Sequence, residues 1–343
     1  MPPKHKRRTA VLGAGAWGTA LANLAARQGS EDSVEVTLWA RDPAHVAEMT
    51  ATGINARYLP GVPLLSNIHP TADLAETEGA ELILAAVPAQ ALRSVLESFA
   101  PYVAEGTPIV ICAKGIEHAT GRFLTEVAAE ILPRNPPAIL SGPSFAKEVA
   151  QGLPTAVTLA AHDSELAAAL AARLAAPFFR LYSSSDVRGV EIGGAAKNVL
   201  AIASGIAAGR RLGASAGAAL IARGFAELCR FGRAHDALPS TLAGLSGLGD
   251  LVLTCTSAMS RNHTLGVALG QGMTLADAIA RSGLCEGVHT CGVLVDLAHA
   301  KEIEMPIAAA VDAVLAERIT VDEAIADLLA RPFKAEFAEE VSP

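Results

Sequence analysis

The segment Gly13-Ala14-Gly15-Ala16-Trp17-Gly18 constrains this chain more than any other, because of where it stands. It follows a short apolar, β-prone run, Ala10–Leu12, and opens a helical run, Thr19–Arg27. In that context each glycine has its own role. Gly13 permits a tight strand-to-helix turn, Gly15 lets backbone approach a pyrophosphate, and Gly18 lets helix and strand pack closely. The amides and positive dipole at the helix start then attract phosphate. The pattern predicts a dinucleotide-binding βαβ unit.

The rest of the chain must extend that unit. With 343 residues it has room for about two domains, each with its own core. Hydrophobic residues make up 51% and charged residues 18%, which argues against disorder and raises the question of membrane insertion. The longest uncharged run, Thr9–Ala26, follows Lys4, Lys6, Arg7 and Arg8 and so imitates a secretory signal. Gly13, Gly15 and Gly18 interrupt it where a signal core is continuous, so no stable membrane insertion is expected. The 27 basic and 35 acidic residues give a net charge of −8, which offers no field for nucleic acid. Cys112, Cys229, Cys255, Cys285 and Cys291 are odd in number and form no CxxC pair, which fits a reducing compartment. Neither they nor His118, His263 and His289 have metal-site or triad spacing, and no metal is expected.

Candidate strands are Ala10–Leu12, Val34–Trp39, Leu82–Ala86, Pro108–Cys112, Ala138–Leu140, Ala156–Leu159 and Phe178–Leu181, separated by alanine-rich helical segments. That alternation predicts a mostly parallel, doubly wound sheet of the Rossmann type, with ligands at the carboxyl ends of its strands. After about Asp186 the β signal stops. Runs such as Glu191–Gly209 and Ala218–Phe231 have helical spacing and predict an all-α C-terminal domain. The expected division is a solvated basic tail at 1–8, a dinucleotide-binding Rossmann domain at 9–188 and a helical substrate domain at 189–343, joined by a helix that leaves the first domain.

Several polar groups fall where chemistry would occur. Lys114, followed by Gly115, ends the Pro108–Cys112 strand and faces the ligand crevice. Gly142 and Ser144 follow the next strand and offer amides and a hydroxyl to an anion. Lys197 is the only charge between Glu191 and Arg210, in a helix of small and apolar residues. Burial there lowers a lysine's proton affinity towards neutrality and suits it to proton transfer. Asp250, after three glycines in Gly244–Gly249, either pairs with Lys197 or caps a helix. Ser260-Arg261-Asn262 combines hydroxyl, guanidinium and amide, a set suited to a phosphate monoester. At the end of the second strand, Ala40-Arg41-Asp42 leaves the cofactor open: an acidic residue there favours NAD, whereas Arg41 can meet the 2′-phosphate of NADP. Both remain, with a lean towards NADPH.

Taken in order, the segments GAGAWGTALA, LWARDP, NARYLPGV, CAKGIE, LSGPSFAKEVAQGLPTA, EIGGAAKNVLAIASGIAAG, GLGDLVLTCTSAMSRNHTLG and LCEGVHT make the chain resemble the biosynthetic, NAD(P)-dependent glycerol-3-phosphate dehydrogenases of the bacterial type. The resemblance covers nearly the whole chain. It implies that Lys197 is the proton donor and acceptor, and that Lys114 contacts substrate and cofactor. It implies substrate contacts at Gly142, Ser144, Asp250, Ser260, Arg261 and Asn262, with Arg261 also reaching the cofactor. Ala16, Trp17, Arg41, Ala146, Leu284 and Glu286 would face the dinucleotide. The chain departs from the family pattern at His263, commonly arginine, and at Arg210-Arg211-Leu212-Gly213-Ala214-Ser215, which replaces an acidic glycine-rich loop.

The resemblance implies reduction of dihydroxyacetone phosphate to sn-glycerol 3-phosphate, reversibly, by a cytoplasmic homodimer supplying glycerophospholipid synthesis. In that chemistry Lys197 protonates the substrate oxygen, Lys114 stabilises its charge, and Asp250 sets the protonation of Lys197. Two other readings stay open on the residues. One is a β-hydroxyacid dehydrogenase or ketopantoate-reductase-like enzyme, which would not need the Ser260–Asn262 set, and the other is a dinucleotide sensor without turnover.

Overall fold

The computed structural model describes residues 6–28 and 34–332. Eight strands form one sheet: β1 (Arg7–Leu12), β2 (Val34–Trp39), β3 (Ile68–Thr71), β4 (Leu82–Ala85), β5 (Ile109–Ile111), β6 (Pro137–Ser141), β7 (Thr155–Ala161) and β8 (Phe179–Ser184). Their order is β3-β2-β1-β4-β5-β6-β7-β8, parallel throughout except between β6 and β7. The chain therefore reverses direction of growth between β1 and β4, the position at which open α/β sheets bind ligands.

The helices of this half are α1 (Ala16–Ala26), α2 (Pro43–Thr52), α3 (Leu92–Phe99), α4 (Leu124–Ile131), α5 (Ala146–Ala150) and α6 (Ser164–Leu174). Strand side chains alternate between the two faces, and each face buries its own cluster. Val11, Leu82, Leu84 and Val110 pack on one side with residues of α1, α5 and α6. Ala10, Leu12, Ile83, Ile109 and Ile111 pack on the other with Leu92, Leu96 and Phe99 of α3 and Leu124 of α4.

The second half is helical: α7 (Val187–Gly209), α8 (Ala214–Arg233), α9 (Pro239–Leu242), a π-helical turn at Leu245–Gly249, α10 (Asp250–Thr256), α11 (Arg261–Gly270), α12 (Leu275–Ser282), α13 (Glu286–Ala300), α14 (Pro306–Leu315) and α15 (Val321–Leu329). α7 is the axis of the molecule. Its first turn places Val187 and Val190 against the sheet, and from Ile192 onward it runs through the centre of the helical core. It is long and apolar enough to cross a membrane, but 89% of that window is buried inside the fold, which makes it a core helix. Glycines let its neighbours close in. A β-carbon at Gly205 would come within 2.9 Å of Gly266 Cα, and one at Gly209 within 3.0 Å of Gly270 Cα, so α7 and α11 cross almost backbone to backbone.

Two expectations are corrected. Arg7 and Arg8 are not tail: they pair with Val34 and Glu35 in β1, because extending the edge of a parallel pair satisfies their backbone groups. Residues 1–5 and 333–343, also named in the expected division, lie outside the described residues. The strand β3 is an addition to the expected set. Ile68-His69-Pro70-Thr71 has neither alternation nor apolar bulk, and Pro70 is tolerated because β3 is the outermost strand.

Candidate active site

The glycine turn has the geometry its sequence demands. Gly13 adopts φ +110°, and a β-carbon on it would lie 2.9 Å from the backbone carbon and oxygen of Ala86. One on Gly18 would run into the Gly13 carbonyl oxygen, whereas one on Gly15 would meet nothing within 4 Å. Open space therefore lies over Gly15, where α1 begins without a side-chain cap and with its first amides available. Trp17 Nε1 is buried beside this start with no hydrogen-bond partner. Ala146 opens α5, which packs on α1 and brings Ala146 to the same end of the sheet. Arg41 is exposed at the end of β2. Asp42, next to it, caps α2 through the Ala44 amide at 3.0 Å.

Across the β1/β4 junction three remote residues meet. Lys114 follows β5, Lys197 lies in the middle of α7, and Asp250 is the first residue of α10. Lys197 Nζ lies 2.5 Å from Asp250 Oδ1, and Lys114 Nζ lies 2.6 Å from Asp250 Oδ2. Lys114 Nζ also donates to the Gly142 carbonyl at 3.0 Å, and the Ser144 hydroxyl donates to the same oxygen at 3.1 Å. Ser144 is thus no helix cap, that position belonging to Phe145.

Small residues on α7 make this convergence possible. A β-carbon at Gly193 would lie 2.8 Å from the Ser246 carbonyl carbon, and one at Gly194 2.7 Å from Ser141 Oγ and 3.4 Å from Lys114 Cγ. The helix therefore touches the π-helical turn that presents Asp250 and the strand ends that present Lys114. Asp250 is 1% exposed and Lys197 7%. Burial pushes the Lys197 ammonium down to about 8, against the opposing pull of the Asp250 carboxylate. Two cations share one carboxylate, so the site carries a surplus positive charge suited to an anionic ligand.

Two of the three side chains in the Ser260–Asn262 set have partners within the protein. Ser260 Oγ accepts from the His263 amide at 3.2 Å and caps α11. Asn262 is buried, donating to Asn198 Oδ1 at 3.0 Å and accepting from the Gly287 amide at 3.0 Å. It ties α7, α11 and α13 together beside Lys197. Arg261 alone of the three remains exposed, with no side-chain hydrogen bond to any described residue, and its carbonyl is met by Cys285 Sγ at 3.4 Å. Through that contact the segment holding exposed Leu284 adjoins Arg261. Glu286 Oε1 accepts from the Ala89 amide at 3.2 Å, beyond β4, and burial raises its carboxyl. Of the two departures, His263 is half-buried with its imidazole pushed down by burial, and Arg210 pairs with Asp322 at 2.9 Å.

Sequence reasoning missed three residues. Thr254 Oγ1 accepts from Lys197 Nζ at 3.0 Å, and its position one turn after Asp250 was the available signal. Asn198, adjacent to Lys197, orients Asn262. Asn55 is fully buried and donates to the Ala14 carbonyl at 2.9 Å and to Thr19 Oγ1 at 2.7 Å, fastening a distant loop to the glycine turn. No local pattern announces it.

A dinucleotide fits these residues. The crevice shows a turn with open space at Gly15, uncapped helix amides, and buried polar atoms without partners on both sides of the β1/β4 junction: Trp17 Nε1, Ser141 Oγ, Glu286 Oε2 and Thr290 Oγ1. Such atoms are costly to bury unmatched and suit an incoming polar ligand.

Comparison with known proteins adds to this geometry. A family model described as NAD-dependent glycerol-3-phosphate dehydrogenase N-terminus matches residues 8–167, and one described as its C-terminus matches residues 186–326. The chain is 68% identical over 332 residues to the glycerol-3-phosphate dehydrogenase (NAD(P)+) of Beijerinckia indica, covering 97% of this chain and 98% of that protein. It is 60% identical over 330 residues to the protein of the same name from Azorhizobium caulinodans, covering 96% and 98%. Among solved structures, glycerol-3-phosphate dehydrogenase from Coxiella burnetii superposes with a TM-score of 0.90 at 42% identity, covering 95% of this chain and 99% of that one.

Proposed function

Because the chain belongs to the NAD-dependent glycerol-3-phosphate dehydrogenase family, we propose that it is an NAD(P)-dependent oxidoreductase that interconverts dihydroxyacetone phosphate and sn-glycerol 3-phosphate. The observation that carries this reading is the Lys114–Asp250–Lys197 cluster at the carboxyl ends of β5 and β6, the end of the sheet that also carries the glycine turn.

When bound, NAD(P) would supply or accept the hydride at the substrate's central carbon. Gly13, Gly15, Ala16, Trp17 and Gly18 would hold the pyrophosphate end, with Arg41 on the adenosine side and Ala146, Arg261, Leu284 and Glu286 along the rest. Lys197, with its proton affinity lowered to about 8, gives its Nζ proton to the carbonyl oxygen during reduction and takes it back during oxidation. Asp250 and Thr254 hold that nitrogen in place. Lys114, fixed by Asp250 and the Gly142 carbonyl, stabilises the developing oxyanion as a preorganised charge. Arg261, exposed at the start of α11, would bind the substrate phosphate, supported by the amide framework of Asn262 and Ser260.

The proposal includes a supply role in glycerophospholipid synthesis, a cytoplasmic location and a homodimer, all resting on the family resemblance, with sedimentation testing the last. Neither a reductase of small hydroxy acids nor a sensor without turnover draws support from the relatives. The deciding experiment follows NADPH and NADH absorbance on adding dihydroxyacetone phosphate, with ketopantoate and tartronate semialdehyde as controls. Decay with the phosphate alone is expected; decay with the acids only, or none despite cofactor binding, would overturn the assignment.

A further inference from the structure

The carboxyl end of β2 holds an arrangement that the glycine turn does not explain. Asp42 stands where an acidic side chain would accept the ribose hydroxyls of NAD. Both of its oxygens are already engaged. Oδ1 accepts from the Ala44 amide at 3.0 Å, and Oδ2 lies 3.2 Å from Arg57 Nη1. The Ala44 bond and the nearby guanidinium hold the Asp42 carboxyl below its usual range, so it remains a charged but occupied group.

Arg57 is not simply a loose surface cation. Its guanidinium lies 5.2 Å from the centre of the Tyr58 ring, and that ring meets His45 of α2 edge-on at 5.3 Å. The loop carrying both is tied to the nucleotide turn by Asn55. The same buried amide that donates to Ala14 and Thr19 accepts from the Tyr58 amide at 3.1 Å. Arg57 is therefore set, two residues from that anchor, in a fixed relation to the pyrophosphate turn. Arg41, immediately before Asp42, makes no hydrogen bond or ion pair with any described residue.

We propose that Arg41 and Arg57 together form a site for the 2′-phosphate of NADPH, and that Arg57 also masks Asp42 as a ribose acceptor. Guanidinium groups bind phosphate through paired hydrogen bonds, and a carboxylate already paired with one of them repels the phosphate less. The loop Asn55–Tyr58 is thereby a determinant of coenzyme preference. This rests on the dinucleotide reading of the Gly13–Gly18 turn.

The test is calorimetric titration of the full chain with NADPH and NADH, and with adenosine 2′,5′-bisphosphate against adenosine 5′-monophosphate, none of which requires turnover. Arg57→Gln is expected to weaken NADPH and the 2′,5′-bisphosphate about tenfold, while NADH and the monophosphate stay within about twofold. Arg57→Lys, which keeps the charge but loses the paired hydrogen bonds, should fall between the unaltered protein and Arg57→Gln in NADPH affinity. Equal weakening of both coenzymes, a loss in Arg57→Lys as large as in Arg57→Gln, or no change at all, as for an ordinary surface ion pair, would overturn the proposal. If the unaltered protein binds neither coenzyme, the dinucleotide reading itself fails, and this inference with it.

Discussion

Lys197 and Asp250 form a buried ion pair at 2.5 Å between the middle of one helix and the first residue of another, 53 residues apart in sequence. The same carboxylate receives Lys114 on its second oxygen. Lys197 could not be buried there without it, since an unpaired ammonium in so dry a place would lose its proton or force the site open.

Replacing Lys197 by alanine should therefore separate chemistry from cofactor binding. We expect kcat to fall by about a hundredfold or more, while coenzyme affinity, read by fluorescence titration, changes less than about twofold. Asp250→Asn should be worse for the fold, because it strands the buried Lys197 cation and leaves the part-buried Lys114 without its carboxylate. A loss of roughly 3 to 5 kcal/mol in denaturant unfolding is expected.

The protonation of Lys197 gives opposite pH dependences for the two directions. Reduction needs the ammonium, so kcat/KM for dihydroxyacetone phosphate should decline as pH rises through about 8. Oxidation of sn-glycerol 3-phosphate needs the free amine and should rise across the same interval. Parallel profiles in both directions would assign the limiting proton to another group.

Gly193→Ala tests whether backbone proximity aligns the cluster. The added methyl would sit 2.8 Å from the Ser246 carbonyl carbon and 2.9 Å from Gly247 Cα, both backbone atoms that cannot rotate away. The turn presenting Asp250 must retreat from α7. Alanine's better helix propensity recovers about 1 kcal/mol at most, against an overpacking cost of about 1 to 3 kcal/mol. Activity should fall more steeply than thermal stability.

Glu191 offers a stability test outside the Lys114–Asp250–Lys197 cluster. It is buried on α7, with Oε1 accepting from the Thr125 amide at 2.9 Å and Oε2 without a hydrogen-bond partner. Burial raises its carboxyl from 4.5 to about 7. The unfolded chain thus releases this proton earlier than the folded one, so this group's contribution to stability is greatest below about 4.5, falls as pH rises towards about 7, and is level above that. Up to about 3 kcal/mol is involved. Glu191→Gln should flatten this slope in pH-dependent unfolding without removing it, because Glu227 is raised to about 7 in the same way.

Local architecture was legible in the amino-acid sequence alone. The β-prone runs, their glycine and proline stops, and the small-residue helices are short-range signals, and they identified seven of the eight strands, the nucleotide turn and the helical second half. They also singled out Lys114, Lys197 and Asp250, because a charge in an apolar or glycine-rich setting stands out without any knowledge of its neighbours. What those charges do depends on the folded chain. Lys114 and Asp250 are 136 residues apart, and only the packing of α7 against β6, β7 and the π-helical turn brings both lysines to one carboxylate. Folding likewise turned Ser260 and Asn262 inward as cap and cross-link, left Arg261 facing outward, and closed Asp42 with Arg57 through the buried Asn55. Side chains such as these have several partners available in sequence, and the choice is made by which backbone groups folding leaves buried and unsatisfied beside them.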